Sequence, residues 1–214
     1  MTIETMISLA DVHQLLAIAL RYPTEELAGG IADGSFAADL SACMEELGLT
    51  DAAANARAAL NGIGAEGLLS AMRTEYTGLF LVPKKEKVFI YESRFLYPKD
   101  ANPKDYMMFV SPCALHAEQC YKDAGVRVKK TLNEPSDHAA TEMEFMSHLY
   151  RCAAQAVADS KDERIWLMRA KAFHKAHIAK WMADFCTQLE ETTQLPVYAA
   201  IAAAGRAVVS AQAE

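Results

Sequence analysis

The sequence lacks the short motifs by which common catalytic, phosphate-binding and metal-binding sites are recognised. It contains no Gly-x-Ser-x-Gly nucleophile elbow, no Walker-type phosphate loop and no Cys-x-x-Cys pair. The five cysteines are an odd number, and we interpret them as reduced thiols that pack as small hydrophobic side chains. These absences argue against an enzyme and leave binding functions open.

Positive charge and long apolar segments are also scarce. The formal net charge is −7 and the pI is near 5.4, which argues against nucleic acid as a partner because phosphate binding needs clustered Lys and Arg. The N-terminus has no basic region ahead of its apolar residues, so it does not resemble a secretory signal. The run LPVYAAIAAAGRAVVSA is short and is interrupted by Arg206, so we predict no integral membrane segment and a cytoplasmic protein.

Helix-forming residues dominate what is present. Apolar residues recur at three- and four-residue steps, and no useful length alternates with period two. We therefore predict an all-α fold, with a first helix from Ile3 to Arg21 that Pro23 ends. Residues 84–110 are predicted to form an ordered loop that wraps the core, and residues 126–135 a hinge between an N-terminal and a C-terminal group of helices.

The stretch NEPSDHAATEMEFMSHLY places several titratable groups at a helix entrance. We predict a helix from Ser136 to about Val157, with Ser136 or Asp137 as its N-cap. Helical spacing places Glu142 within the buried stripe, where a carboxylate is costly unless it is partnered. His138 precedes Glu142 by about one turn, and we predict that the two side chains pair. The stripe comprises Met143, Met146, Tyr150, Ala153 and Val157.

Two interpretations of this entrance stay open. In the first, the residues only start the helix, since Pro135 fixes the approach of the chain and acidic groups suit the positive end of the helix dipole. In the second, Glu134 and Asp137 form an acidic cluster beside flexible Met side chains, which suits a partner with a basic head and an apolar tail. Paired arginines would satisfy such carboxylates better than lysines because guanidinium binds bidentately.

A helical metal-binding protein that uses His138, Glu142 and His148 is an alternative. Di-iron carboxylate bundles use Glu-x-x-His twice, whereas the Glu and His residues here are four apart. Helical spacing also points His148 away from the Met stripe, and His174 and His177 lie among lysines. We therefore predict no metal site, and a helical scaffold without a peptide-binding groove is a further alternative.

Three motif segments follow one another along the chain in the order YTGLF, YESRFLY and EPSDHAATEMEFM, with FHKAHIAKW downstream. Together they resemble the TorD/DmsD family of redox-enzyme maturation chaperones, and the resemblance spans nearly the whole chain. The family's Glu-Pro-x-Asp-His signature is complete here, as is its aromatic-x-x-Leu-Phe signature.

The resemblance implies an all-helical, single-domain chaperone of about ten helices over residues 1–214, with no catalytic activity. The implied partner is the catalytic subunit of a molybdopterin-containing oxidoreductase of the DMSO-reductase type. The chaperone would bind its twin-arginine signal peptide, or the apo-enzyme, until the cofactor is inserted. Guanine-nucleotide binding and a domain-swapped dimer in place of a monomer rest on the resemblance alone, although a hinge makes swapping physically reasonable.

The resemblance also implies which residues bind the client. Asp137 and His138 would be the centre of peptide recognition. The helical spacing of the aromatic-x-x-Leu-Phe residues favours core packing over client binding, and His177 and Trp181 share a helix face that either lines the groove or closes the core. The predicted client-binding residues are Glu134, Pro135, Asp137, His138, Glu142, Tyr76, Leu79, Phe80, Tyr91, Glu92, His177 and Trp181.

Overall fold

The computed structural model describes residues 1–82, 85–97, 111–128 and 135–212. These residues are mostly helical and contain no β-strand, so the all-α prediction is confirmed. In chain order the helices are α1 (Ile3–Ala19), α2 (Glu25–Ala32), α3 (Ser35–Glu46), α4 (Thr50–Leu60), α5 (Leu68–Tyr76), α6 (Glu92–Phe95), α7 (Pro112–Asp123), α8 (Ala139–Ala158), α9 (Arg164–Phe173), α10 (Ala179–Thr192) and α11 (Pro196–Ala211).

Two widened helical turns interrupt this pattern. Helix α5 continues into the π-helical turn Thr77–Leu81, and the π-helical turn His174–Ile178 joins α9 to α10. Turns of this kind frequently occur at functional sites. The second one carries His177.

The central packing unit is the pair formed by α1 and α8, which lie along each other. Helix α11 packs on α10 and on α4, while α9 packs on α8. The buried side chains from α1 through α11 form one main hydrophobic cluster among the described residues. Apolar side chains at helical spacing along α1, those of Met6, Leu9, Val12 and Leu16, are buried, and each such large side chain contributes about 1.5–3 kcal/mol when fully buried. The helix ends at Ala19, earlier than the predicted Arg21.

The start of α8 differs from the prediction. The helix begins at Ala139 because His138, rather than Ser136 or Asp137, is its N-cap. At the other end, the side chain of Val157 is 38% exposed and does not belong to the buried stripe, since the chain leaves the core there. The other predicted stripe residues are buried.

The predicted wrapping loop is described in part. Val88 and Ile90 are buried in the main cluster, so residues 85–97 do pack on the core. Residues 98–110 of that loop and residues 129–134 of the predicted hinge lie outside the described part of the chain. None of the helices that the structure describes combines the length and the apolar character needed to cross a membrane.

Candidate functional site

Two segments that are distant in sequence bind each other at the start of α8. The backbone N–H of Glu92 donates to the carbonyl of Asp137 (2.9 Å), and that of Ala139 donates to the carbonyl of Ile90 (3.0 Å). The Tyr-Glu-Ser segment and the Ser-Asp-His segment, both singled out by the sequence, therefore form one substructure. We call this pairing of residues 90–93 with residues 137–139 the clasp.

The side chain of Asp137 stabilises the clasp. The residue is fully buried, and its Oδ2 accepts a hydrogen bond from the backbone N–H of Ser93 (3.0 Å), in the first turn of α6. A carboxylate is favourable there because the first amides of a helix have no partner within the helix. Asp137 therefore positions the Tyr-Glu-Ser segment and does not cap its own helix.

His138 is the N-cap of α8 and is buried as a neutral ring. Its Nδ1 accepts a hydrogen bond from the backbone N–H of Ala140 (3.1 Å), and its ring meets the edge of Tyr91 at a centroid distance of 5.1 Å. Burial, together with the smaller effect of the charge of Arg21, lowers the pKa of His138 to about 3. Because Nδ1 accepts, the ring proton is on Nε2. The predicted pair with Glu142 is wrong, because the side chain of Glu142 contacts Trp181 and His177 instead.

Glu142 pairs instead with residues from other elements. It is fully buried, and its Oε2 accepts a hydrogen bond from Trp181 Nε1 (3.0 Å). Burial raises the pKa of Glu142 well above its usual range, and the nearby charge of Glu92 raises it further. The raised pKa favours the protonated, neutral form of the Glu142 carboxyl group. Oε1 of Glu142 and Oε1 of Glu92 are both buried without a hydrogen-bond partner, and a proton on Glu142 that is shared with Glu92 would satisfy both atoms.

His177 connects this carboxyl pair to the surface. Its Nδ1 donates to Glu92 Oε2 (2.6 Å), and its Nε2 lies 2.8 Å from Nδ1 of His116 on α7. The two imidazole rings stack at 5.0 Å. His177 is buried and His116 is exposed. A chain of polar contacts thus runs from His116 at the surface to Glu142 and Trp181 in the core.

The aromatic-x-x-Leu-Phe residues Tyr76, Leu79 and Phe80 lie behind the carboxyl pair and are all buried. Tyr76 and Phe80 meet edge to face at 4.8 Å. Phe80 also contacts Phe185 at 6.3 Å, which in turn packs against Trp181 at 5.2 Å. These residues therefore support the ring of Trp181 through core packing.

The structure brings most of the predicted client-binding residues together, but it buries nearly all of them. Among those that the structure describes, Pro135 is exposed and Tyr91 is partly exposed, while the others are buried. Glu134 lies outside the described residues. A client could contact the buried ones only if the clasp opened.

An accessible cleft that the sequence analysis missed lies beside the clasp. It has a volume of about 410 Å³. Tyr121 lines it and donates its hydroxyl proton to the carbonyl of Ser136 (2.6 Å), next to the clasp. The half-exposed side chain of Glu144 forms an ion pair with Arg21 there (2.5 Å). Helical spacing places Glu144 on the side of α8 away from the Met stripe, and this signal in the sequence could have identified the face of α8 that lines the cleft. The lining residues are Arg21, Tyr121, Val126, Arg127, Val128, Thr141, Glu144, Phe145 and His148.

A second feature that the sequence analysis did not single out is the spacing Gly-x-Gly-x-x-Gly at residues 62–67. A dinucleotide fingerprint follows a strand and opens a helix of a βαβ unit. Here the glycines follow helix α4. Gly62 and Gly67 adopt positive φ values of 80° and 70°, so they serve the turn.

Two groups of side chains in the described part of the chain bring three potential metal ligands within 4.8 Å of one another. Neither includes His138 or His148, so the proposed ligand set of His138, Glu142 and His148 is wrong. His138 caps α8 instead, and His148 Nε2 lies 3.5 Å from Cys152 Sγ. The two groups are Glu92 with Glu142 and His177, and His116 with Cys120 and His177.

The fold and the site together define an all-helical protein with a buried polar network and an open cleft at the start of one long helix. The profile of the family described as "nitrate reductase delta subunit" matches residues 37–187, and the chain belongs to this family.

Curated relatives are named "Chaperone protein TorD". The one from Shewanella pealeana is 26% identical over 157 residues, which cover 73% of this chain and 66% of the relative. The one from Vibrio cholerae is 25% identical over 135 residues, which cover 63% of this chain and 56% of the relative. The chain thus matches less than two thirds of the length of these relatives. Their names describe chaperones, which agrees with the prediction of a protein that is not an enzyme.

A solved structure from Archaeoglobus fulgidus, described as that of a candidate redox enzyme maturation protein, shares the fold. The similarity covers 92% of this chain and 91% of that chain, with a TM-score of 0.52 and 23% identity. This likeness shows the fold, while the family match and the TorD relatives confirm the predicted membership of the TorD family.

Proposed function

We propose that the protein is a chaperone that binds the catalytic subunit of a molybdopterin-containing oxidoreductase, through its twin-arginine signal peptide, until the cofactor is inserted. The observation that carries the proposal is the clasp, because it joins the two segments of the family resemblance to each other directly beside an open cleft. The chaperone acts before export, so a cytoplasmic location is part of the proposal.

In this proposal the cleft receives the peptide and the clasp shapes the cleft. Asp137 and His138 are buried, so they position the first turns of α8, which carry Thr141, Glu144 and Phe145 into the cleft wall. Tyr121 lines the cleft next to Phe145, with ring centroids 4.6 Å apart, and is held by its hydrogen bond to Ser136. A substitution in the clasp would therefore change the shape of the cleft, although the substituted residue does not contact the peptide.

Within the cleft, whose lining also includes Arg21 and Arg127, Glu144 and the apolar side chains suit an arginine followed by apolar residues. The side chain of Glu144 is 53% exposed and already binds a guanidinium group, that of Arg21. A leader arginine would take the place of Arg21, and carboxylate and guanidinium form strong charge-assisted hydrogen bonds. The apolar part of the leader would lie on Phe145, Val126 and Val128, and the net charge of −7 favours a basic partner.

Of the other predicted client-binding residues, some lie at the edge of the cleft and the rest support it from the core. Pro135 and Tyr91 are accessible and would contact the client at the edge of the clasp. The aromatic cluster and Trp181 hold Glu142 in the core, and Glu134 would act at the approach to the clasp. Either a monomer or a domain-swapped dimer is compatible with this arrangement.

The test is a mild affinity purification of the full chain from its own host grown anaerobically, with mass spectrometry of the bound proteins. We expect a molybdopterin oxidoreductase catalytic subunit that retains its leader. Asp137→Ala should reduce its recovery, whereas Asp162→Ala, which removes a similar carboxylate-to-backbone bond at the exposed start of α9, should not. Repeated absence of such a subunit from cells that express it would contradict the proposal.

A further inference from the structure

The group of His116, Cys120 and His177 has the composition of a transition-metal site. His116 and Cys120 lie one turn apart on α7, so their side chains share a helix face. His177 comes from the π-helical turn between α9 and α10 and faces them. The three potential ligand atoms lie within 4.8 Å of one another.

Glu92 prepares His177 for this role. Its Oε2 accepts the Nδ1 proton of His177 (2.6 Å), so the lone pair of the neutral ring is on Nε2. That nitrogen points to His116, whose Nδ1 is 2.8 Å away. Metal-binding histidines almost always donate their other ring N–H to a carboxylate or carbonyl group in this way.

We propose that His116 Nδ1, Cys120 Sγ and His177 Nε2 bind one zinc-type transition-metal ion. Two imidazole nitrogens bound to a tetrahedral zinc ion at about 2.0–2.1 Å lie about 3.3 Å apart, so the ring of His116 needs to move by about half an ångström. His116 is exposed and can move, and it gives the ion access from solvent. Imidazole and thiolate ligands favour zinc over magnesium or calcium, and three protein ligands leave the fourth position open.

The neighbouring group of Glu92, Glu142 and His177 is less suited to a metal. Both carboxyl groups are buried, and one oxygen of each already accepts a hydrogen bond, Glu142 Oε2 from Trp181 and Glu92 Oε2 from His177. His177 also faces the two groups with different nitrogens, and Nδ1 is committed to Glu92. The site at α7 goes beyond the proposed chaperone function and does not depend on it.

The test titrates the metal-free full chain with Co²⁺ as a spectroscopic probe and then displaces it with Zn²⁺. We expect one equivalent of tetrahedral cobalt with a thiolate charge-transfer band, which zinc removes. Cys120→Ser should abolish the band and lower zinc affinity at least about ten-fold, and the exposed His116→Ala should also weaken binding. Glu92→Gln should weaken binding about 10- to 100-fold without changing the stoichiometry.

Cys152→Ser is the matched control. Cys152 also follows a histidine, His148, by one helical turn and lies 3.5 Å from it, but that pair belongs to neither three-ligand group. The variant should bind cobalt as the wild type does. A wild type without the band, a band that survives Cys120→Ser, or a band that Cys152→Ser removes would overturn the site. Circular dichroism of each variant confirms that the helices remain.

Discussion

At the scale of single residues, burial favours the neutral forms of Glu142 and His138. Burial disfavours the charged form of any group, so it raises the pKa of Glu142 and lowers that of His138. Both therefore act as neutral hydrogen-bonding groups. They hold the site in shape, and the exposed Glu144 is the carboxylate that is available to a charged partner.

Glu142→Gln tests the neutral state of this carboxyl group. The amide has nearly the same shape, can accept the Trp181 proton and can donate to Glu92, so the free energy of unfolding should change by less than about 1 kcal/mol near pH 5. Glu142→Ala should lose about 2–4 kcal/mol, because it leaves both partners unpaired beside a cavity. Urea denaturation measures both values, and equal losses would contradict the assignment.

The same substitution predicts a pH dependence. Because the pKa of Glu142 is raised in the folded state above its ordinary value of 4.5, its stabilising contribution is complete below that pH and falls as the pH rises toward the folded pKa. The amide does not titrate. Glu142→Gln should therefore become more stable relative to wild type between about pH 5 and about pH 8, and a constant difference would show that the carboxyl group is not protonated in the folded state.

His138→Asn predicts the opposite dependence on pH. The pKa of His138 falls from 6.5 in the unfolded chain to about 3 in the folded one, so its contribution is complete above pH 6.5 and is lost as the pH falls toward 3. The loss at pH 5 is about 2 kcal/mol. Asparagine is a good N-cap that does not titrate, so the variant should gain about this amount relative to wild type between pH 7 and pH 5. Thermal or urea unfolding at both pH values checks it.

At the scale of elements, the clasp stabilises helix α6. This helix has only four residues, Glu92–Phe95, and a helix of that length is not stable in isolation. It is held by the backbone bond between Glu92 and Asp137 and by the side-chain bond from Ser93 to Asp137. The stability of α6 therefore depends on a residue that lies just before α8, in addition to the packing of Phe95 against Trp181.

Asp137→Ala should release α6 before it unfolds the protein. Loss of the buried acceptor leaves the Ser93 N–H unpaired and should cost about 1–3 kcal/mol, with faster amide hydrogen exchange in residues 91–95. Asp162→Ala provides the comparison, since Asp162 Oδ1 accepts from the Arg164 N–H at 3.0 Å on the surface, and it should cost less than about 1 kcal/mol. Exchange mass spectrometry would contradict the role of Asp137 if residues 91–95 were equally protected in both variants.

At this scale, the sequence predicted the features that depend on local periodicity. Apolar spacing predicted α1 and the buried position of Glu142 on α8, because both depend on one helix at a time. The clasp depends on contacts between distant segments, which no local pattern encodes. His138 was not expected as the cap because histidine is not among the preferred N-cap residues. The sequence left His177 either lining the groove or closing the core, because its partners Glu92 and His116 come from other elements.

At the scale of the whole molecule, α8 couples the buried network to the open cleft. One face of its first turns presents Glu142 to Trp181, and another presents Thr141, Glu144 and Phe145 to the cleft. Its contact with α1 also brings Arg21 to Glu144. Changes in the network can therefore alter the shape of the cleft, while changes at Glu144 alter only its charge.

Glu144→Gln tests whether the negative charge in the cleft contributes to peptide binding, because it removes the charge and keeps the shape of the side chain. A hydrogen bond to a charged group is worth about 1.5–3 kcal/mol, so the variant should bind the twin-arginine leader peptide of the client recovered by affinity purification about ten-fold more weakly or worse, with unchanged unfolding. Glu190→Gln is the matched control, because Glu190 forms a similar surface ion pair with Arg206 (2.8 Å) away from the cleft. Isothermal titration with the arginine peptide and with a lysine-substituted peptide measures the effect. If Glu144→Gln binds the leader with wild-type affinity, the leader binds elsewhere on the molecule. If Glu144→Gln binds it more weakly and Glu190→Gln does not, the leader binds in the cleft.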